Sequence, residues 1–200
     1  MEILPYRQED IAPLAAKITA ELYTPGAVVL VPTETVYGLI ARSDDEAACR
    51  RIYELKQRPY SKRNGWFTGN WRRLPEFGVD IAGLPEKLAQ EFTPGALTVV
   101  APTFDGGTQG FRVPDHPLLL AVLEKMDVPL VQTSANGSGC GDVLCVQEAL
   151  SQLHGAPDLV IDGGDLPPGR CGSTVVDATG KKVKILRAGA LAAERLEKYC

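Results

Sequence analysis

Apolar and polar positions along this chain alternate between two rhythms. Residues 8–22 carry Ile11, Leu14, Ala15, Ile18 and Leu22, the i, i+3, i+4, i+7, i+11 stripe of an amphipathic helix. Pro25-Gly26 breaks the stripe. Ala27-Val28-Val29-Leu30-Val31 then runs without a polar residue and is rich in β-branched side chains, which predicts a buried strand. Pro32 removes a backbone donor and ends regular pairing. A second strand is expected over 37–41. Ser43 with Glu46 three residues later fits a capping box, which predicts a helix from 44 to about 57, ended by Pro59.

Further along, a helix over 84–92 starts near Pro85, a favoured first helical position. A turn at 92–95 leads into a strand at 96–101. A glycine-rich loop, Asp105-Gly106-Gly107, precedes a strand at 108–113. Pro114 and Pro117 bracket the start of a helix reaching about Lys125. A strand at 128–132 runs into the small, polar loop 133–139. A helix at 146–153 and strands at 158–161, 174–177 and 183–187 complete the chain. Strands and helices interleave, with several strands adjacent in sequence. This predicts an α/β (α+β) fold with a twisted mixed sheet. No repeat, low-complexity tract or interdomain linker divides it, so residues 1–200 are expected to form one domain.

Composition narrows the function. The apolar fraction is 44%, enough for a sizeable core, and the net charge of −4 argues against non-specific coating of nucleic acid. No stretch approaches the roughly 18–20 apolar residues of a membrane span, and Met1-Glu2-Ile3-Leu4-Pro5 does not open a signal peptide. The five cysteines (Cys49, Cys140, Cys145, Cys171 and Cys200) are odd in number and irregularly spaced. They fit a reducing, cytoplasmic setting better than a disulfide framework. With only His116 and His154 beside them, no zinc-type cluster is offered.

Candidate chemistry gathers at strand and helix ends. Val31-Pro32-Thr33-Glu34-Thr35-Val36-Tyr37-Gly38-Leu39 places polar side chains directly after a buried strand. That is a common place for a ligand site, and equally a self-bonded turn. Lys56, Arg58 and Lys62 lie at a helix C-terminus and the loop after it. They suit either the helix dipole or a phosphate clamp. Arg112, between apolar neighbours, has a fork matched to carboxylate or phosphate, with a surface ion pair as the alternative. Ser134-Ala135-Asn136 can present hydroxyl, amide and backbone N–H groups to an anion, or cap a turn. The segment 60–73 mixes Lys62, Arg63, Arg72 and Arg73 with Trp66 and Trp71. It fits a nucleic-acid surface, or a loop around a short strand with solvated charges. There is no P-loop, no G-x-G-x-x-G and no nucleophile elbow.

Taken in order, Pro32-Thr33-Glu34-Thr35-Val36-Tyr37-Gly38-Leu39, Leu55-Lys56-Gln57-Arg58-Pro59, Thr93-Pro94-Gly95-Ala96-Leu97-Thr98, Arg112-Val113-Pro114-Asp115-His116-Pro117, Thr133-Ser134-Ala135-Asn136, Gly172-Ser173-Thr174-Val175-Val176-Asp177 and Leu186-Arg187-Ala188-Gly189 resemble the YrdC/Sua5 family. These are the threonylcarbamoyl-AMP synthases that begin tRNA t6A modification. The resemblance covers roughly residues 8–192 and is to the short, YrdC-type form. It implies a YrdC-like twisted mixed sheet with flanking helices around a deep, positively charged cleft. It also implies the reaction: L-threonine and bicarbonate (or CO2) give N-carboxythreonine, whose carboxylate attacks the α-phosphate of ATP. Pyrophosphate leaves, and partner proteins pass the threonylcarbamoyl group to adenosine 37 of tRNA.

By that resemblance Thr33, Thr35, Arg112 and Ser173 serve L-threonine. Lys56 and Arg58 serve catalysis at the phosphates. Lys62, Thr108, Ser134, Asn136 and Arg187 join them on the nucleotide, and Mg2+ rides on the phosphates. Two departures stand out. Phe67 occupies the place where some members have a histidine, and Asp142 the place of a nucleotide-contacting serine. They leave room for two other readings: a non-catalytic RNA-binding module, and a carbamoyl-adenylate enzyme with a different substrate.

Overall fold

Ten strands pair into one mixed sheet in the computed structural model, which describes residues 1–200. The strands are β1 (Glu2–Pro5), β2 (Val29–Val31), β3 (Gly38–Arg42), β4 (Gly65–Phe67), β5 (Leu97–Pro102), β6 (Thr108–Arg112), β7 (Leu130–Ser134), β8 (Leu159–Asp162), β9 (Thr174–Asp177) and β10 (Lys184–Arg187). Their spatial order is β1-β8-β2-β3-β7-β4-β6-β5-β9-β10. Parallel pairs (β1 with β8, β2 with β8, β4 with β6, β5 with β9) mix with antiparallel ones, as the interleaved pattern requires. The α-helices are α1 (Ile11–Leu22), α2 (Glu46–Lys56), α3 (Leu84–Phe92), α4 (Pro117–Leu123) and α5 (Val146–Gln152). None is long and apolar enough to cross a membrane.

Alternation along each strand sends neighbouring side chains to opposite faces and sorts the core. On one face Val29, Val31, Ile40, Leu130 and Leu159 pack under α1 and α4. On the other, Val28, Leu30, Leu39 and Val131 meet α2 and α5. Phe111, Val99, Leu97 and Val176 meet α3, with Trp66 touching both groups. The first face is therefore only half roofed. Beyond α1 and α4, Gly38 of β3 and Gly65 of β4 lie on this face, where a missing side chain leaves depth above the sheet.

Several element ends differ from expectation. The cap of α2 is Asp45, whose carboxylate accepts from the Ala48 and Gly26 N–H groups. Ser43 is not used. The helix ends before Pro59, at Gln57, which takes a left-handed conformation with φ 47°. The strand expected at 128–132 is shifted to Leu130–Ser134, because pairing with β3 continues to Gly38–Ser134. β1 and the 3-10 helices Trp71–Phe77 and Ala193–Tyr199 carry no pattern strong enough to predict them. In the aromatic-basic segment, Trp71 is buried with Arg72 stacked 4.1 Å above its ring, and Arg73 pairs with Glu76. These side chains serve the local fold and do not make an open stacking platform.

Candidate functional site

The unroofed part of the sheet is an open cavity of about 160 Å³ with a mostly polar lining. Its floor holds Gly38, Gly65, Phe67, Thr98, Arg112, Gln132 and Ser134, and its walls include Thr33, Thr35, Arg58, Arg63, Ser173 and Arg187. Four arginines line it (Arg58, Arg63, Arg112 and Arg187) and no aspartate or glutamate does.

One end is built on the turn after β2. The Thr33 hydroxyl accepts from the Thr35 and Val36 N–H groups and donates to the Val36 carbonyl, so it shapes the turn from within. That leaves the Thr35 hydroxyl facing Arg112, whose Nη1 and Nη2 both lie 3.2 Å away. Arg112 is 3% exposed, and its Nε donates to the Gly95 carbonyl at 3.0 Å. The Thr93-Pro94-Gly95 turn exists in this form because residue 95 has no side chain. A Cβ there would meet the Phe92 carbonyl oxygen at 2.8 Å. Nη2 of Arg112 pairs with Glu34, whose same oxygen accepts from the Asp115 N–H, while Oε2 of Glu34 is buried without a partner. Burial pushes the Arg112 guanidinium down in pKa, and the Glu34 carboxylate opposes the shift. Phe67 lies under the guanidinium, 5.6 Å from its ring centre.

The other walls are held by carbonyl groups. Arg187 donates to the Ser173 carbonyl through Nε and Nη2, and the Ser173 hydroxyl bonds to that of Thr98 at 2.8 Å. Arg58 donates to the Lys62 and Arg63 carbonyls. Burial depresses Arg58, and Arg187 adds repulsion; Arg187 also repels Arg112. Asp142, at the position where a serine was expected, accepts from the Gly172 N–H at 2.9 Å. Its charge is turned to the loop that carries Ser173.

Lys56 requires a correction. It does not line the cavity: it is 2% exposed, and its ammonium donates to the carbonyls of Ser134 and Asn136 and weakly to Asn136 Oδ1. Its charge is spent on holding the turn after β7, where the Ser134 hydroxyl in turn meets Asn136 Oδ1. Lys62, Thr108 and Asn136 also fall outside the lining, the first two exposed, with Thr108 offering its carbonyl to Arg63. Thr33, Thr35, Arg58, Arg112, Ser134, Ser173 and Arg187 are brought together in the one lining. Glu34, Arg63, Thr98 and Gln132 were missed. Glu34 and Thr98 lie within the quoted motifs and Arg63 within the basic run; only Gln132 carried no signal of its own.

Burial, followed by repulsion from Arg58, pushes the Lys56 pKa down to about 7, with Asp142 opposing. In the unfolded chain a lysine keeps its proton to about pH 10.4. Between these values the unfolded state binds more protons, so this group's contribution to stability rises with pH. Lys56→Met, which strands two carbonyl acceptors at about 1–3 kcal/mol each, is therefore expected to destabilise more at pH 9 than at pH 6. Urea unfolding of both proteins across that range checks it. A pH-independent difference would remove the buried ammonium from the account.

A family model, Sua5/YciO/YrdC, described as telomere recombination, matches residues 21–189. A threonylcarbamoyl-AMP synthase of Pyrococcus abyssi is 34% identical over 99% of this chain, which spans 61% of that relative's length. One from Pseudoalteromonas translucida is 36% identical over 87% of this chain and 97% of the relative. The crystal structure of P. abyssi Sua5 complexed with L-threonine superposes with a TM-score of 0.82 at 32% identity, covering 99% of this chain and 60% of that one. With matches this extensive in sequence and in fold, the chain belongs to the Sua5/YciO/YrdC family.

Proposed function

We propose that this protein is an ATP-dependent threonylcarbamoyl-AMP synthase, whose product feeds tRNA t6A modification. The observation that carries the reading is the division of the cavity. Arg112 and Thr35 form a carboxylate-and-hydroxyl subsite at one end, and Arg58, Arg63 and Arg187, none paired with a carboxylate, line the rest. N-carboxythreonine would place its threonine carboxylate at Arg112, near Thr35 and Ser173. Its carbamate oxygen then bonds to the α-phosphorus of ATP as the bond to the β-phosphate oxygen breaks, and that electron pair leaves on pyrophosphate. The attacking group belongs to the substrate, so no protein nucleophile is required. The protein supplies position and positive charge.

Arg58 and Arg187 are assigned to the phosphates, and Ser134 to the nucleotide with Asn136 behind it. Lys56 is assigned to holding the Ser134–Asn136 turn, replacing the phosphate contact expected of it. The lining has no carboxylate, and no group of three or more His, Cys, Asp or Glu is placed to hold a metal ion. Mg2+ is assigned to the phosphates of ATP, as part of that substrate. Residues 1–200 are read as one YrdC-like domain because a single sheet runs through them. The five free thiols favour a cytoplasmic setting, where t6A-transfer proteins and tRNA would follow.

The test is pyrophosphate release from ATP with Mg2+ and bicarbonate, with and without L-threonine. Release that needs both threonine and bicarbonate is expected. Release without threonine would point to another acceptor. Salt-sensitive tRNA binding with no release would point to a binding module.

A further inference from the structure

Of the two adjacent cations Lys62 and Arg63, only Arg63 lines the cavity. Its one hydrogen bond runs from Nη1 to the Thr108 carbonyl at 2.9 Å, and it belongs to none of the ion pairs. The Thr103 hydroxyl and the Gly107 N–H engage the Asp105 Oδ1 and hold that carboxyl below its ordinary pKa, and Arg63 only helps. The peptide that carries Arg63 is fixed from behind. Arg58 Nη2 donates to the Arg63 carbonyl at 3.1 Å and Arg58 Nε to that of Lys62 at 2.9 Å. Arg63 thus joins the Arg58 loop to β6, with Nε and Nη2 making no hydrogen bond within the protein. Beside it in the lining, both polar side-chain atoms of Asn64 are buried without a protein partner. A guanidinium anchored through one nitrogen presents the remaining edge as a planar fork for phosphate oxygens.

Position separates Arg63 from the other cations. Arg112 is the last residue of β6 and Thr108 the first, so the carboxylate subsite lies at one end of that strand. Arg63, tied to Thr108, holds the other end of the same strand from Arg112. We propose that Arg63 is a further anion-binding residue of the cleft, which grips the β,γ end of the triphosphate, the part that leaves as pyrophosphate. This rests on the synthase reading.

The experiment compares wild type, Arg63→Gln and Arg63→Lys. Arg72→Gln, which carries the same charge change on the Trp71 ring outside the cavity lining, is the control. Inorganic pyrophosphate is titrated calorimetrically, and KM is measured for ATP and for L-threonine. Arg63→Gln is expected to weaken pyrophosphate binding and raise the KM for ATP by about tenfold or more. The KM for threonine should stay within twofold, Arg63→Lys should recover part of the loss, and Arg72→Gln should match wild type. Unchanged pyrophosphate affinity in Arg63→Gln, or no pyrophosphate binding by wild type, would overturn the assignment. If wild type releases no pyrophosphate from ATP, the synthase reading fails, and the titration still decides Arg63 by itself.

Discussion

Arg112→Ala is expected to lower kcat/KM for L-threonine by about 10²–10³-fold, as for a desolvated charge partner worth roughly 3–4 kcal/mol. The guanidinium is buried, and three groups aim it: the Gly95 carbonyl, the Glu34 carboxylate and the Thr35 hydroxyl. Truncation removes the cation that would meet the substrate carboxylate. It also strands Glu34, which keeps only the Asp115 N–H. These two losses separate in a double variant. If the stranded glutamate is the whole problem, adding Glu34→Gln to Arg112→Ala should restore threonine use. If Arg112 holds the substrate, the double variant stays inactive while ATP still binds. Recovery in the double variant would take Arg112 out of the threonine subsite.

Glu34 acquires a second meaning from this geometry. It is a carboxylate already seated on Arg112, as the carboxylate of an amino acid would be. Arg170 donates from Nη1 to the Glu34 backbone carbonyl at 2.9 Å, so the loop after β8 rests on the same turn. An arginine with five N–H groups can hold this pair, the Gly95 carbonyl and Thr35, and still keep a donor for a ligand. The internal pair sets the angle of the fork before a substrate arrives.

How much of this was legible beforehand depended on sequence distance. The β2 run and the α1 stripe are local patterns, and the structure keeps both with ends moved by a few residues. The PTET turn and Arg112 were both visible, but their contact joins residues 77 positions apart and follows only from the pairing of β3, β7, β4 and β6. Lys56 misled for the same reason. A cation at a helix end reads as a phosphate ligand until the turn after β7, 78 residues on, is seen to place two carbonyls on it. Between Lys62 and Arg63 the sequence held no means of choice, since one turn decides which side chain enters the cavity. Asp142 looked like a charge misplaced beside phosphates; its partner, the Gly172 N–H, is 30 residues away. Ser43 and Asp45 both fit a cap, and the position of Gly26, which donates to Asp45 as well, selects the second.

The glycine of Leu186-Arg187-Ala188-Gly189 tests how tightly the far wall is built. A Cβ at Gly189 would lie 2.3 Å from the Gly172 carbonyl oxygen and 2.5 Å from the carbonyl carbon and oxygen of Ser173. These are backbone atoms, and the neighbouring Ala190 N–H is bonded to the same Gly172 oxygen at 3.0 Å, so no side-chain rotation relieves the clash. Gly189→Ala is expected to destabilise by about 3 kcal/mol or more. For a chain of this size that is a fall of roughly 6–12 °C in Tm. The strain falls on the peptide that orients Arg187 and Ser173, so the KM for ATP should rise even at temperatures where the variant remains folded. Gly180→Ala is the contrast: there a Cβ meets only the Lys182 carbonyl oxygen at 3.9 Å, and Tm should hold or rise slightly. Equal Tm values for the two variants would mean that β10 can draw away from the 172–173 backbone. The cleft wall would then be far more compliant than its contacts imply.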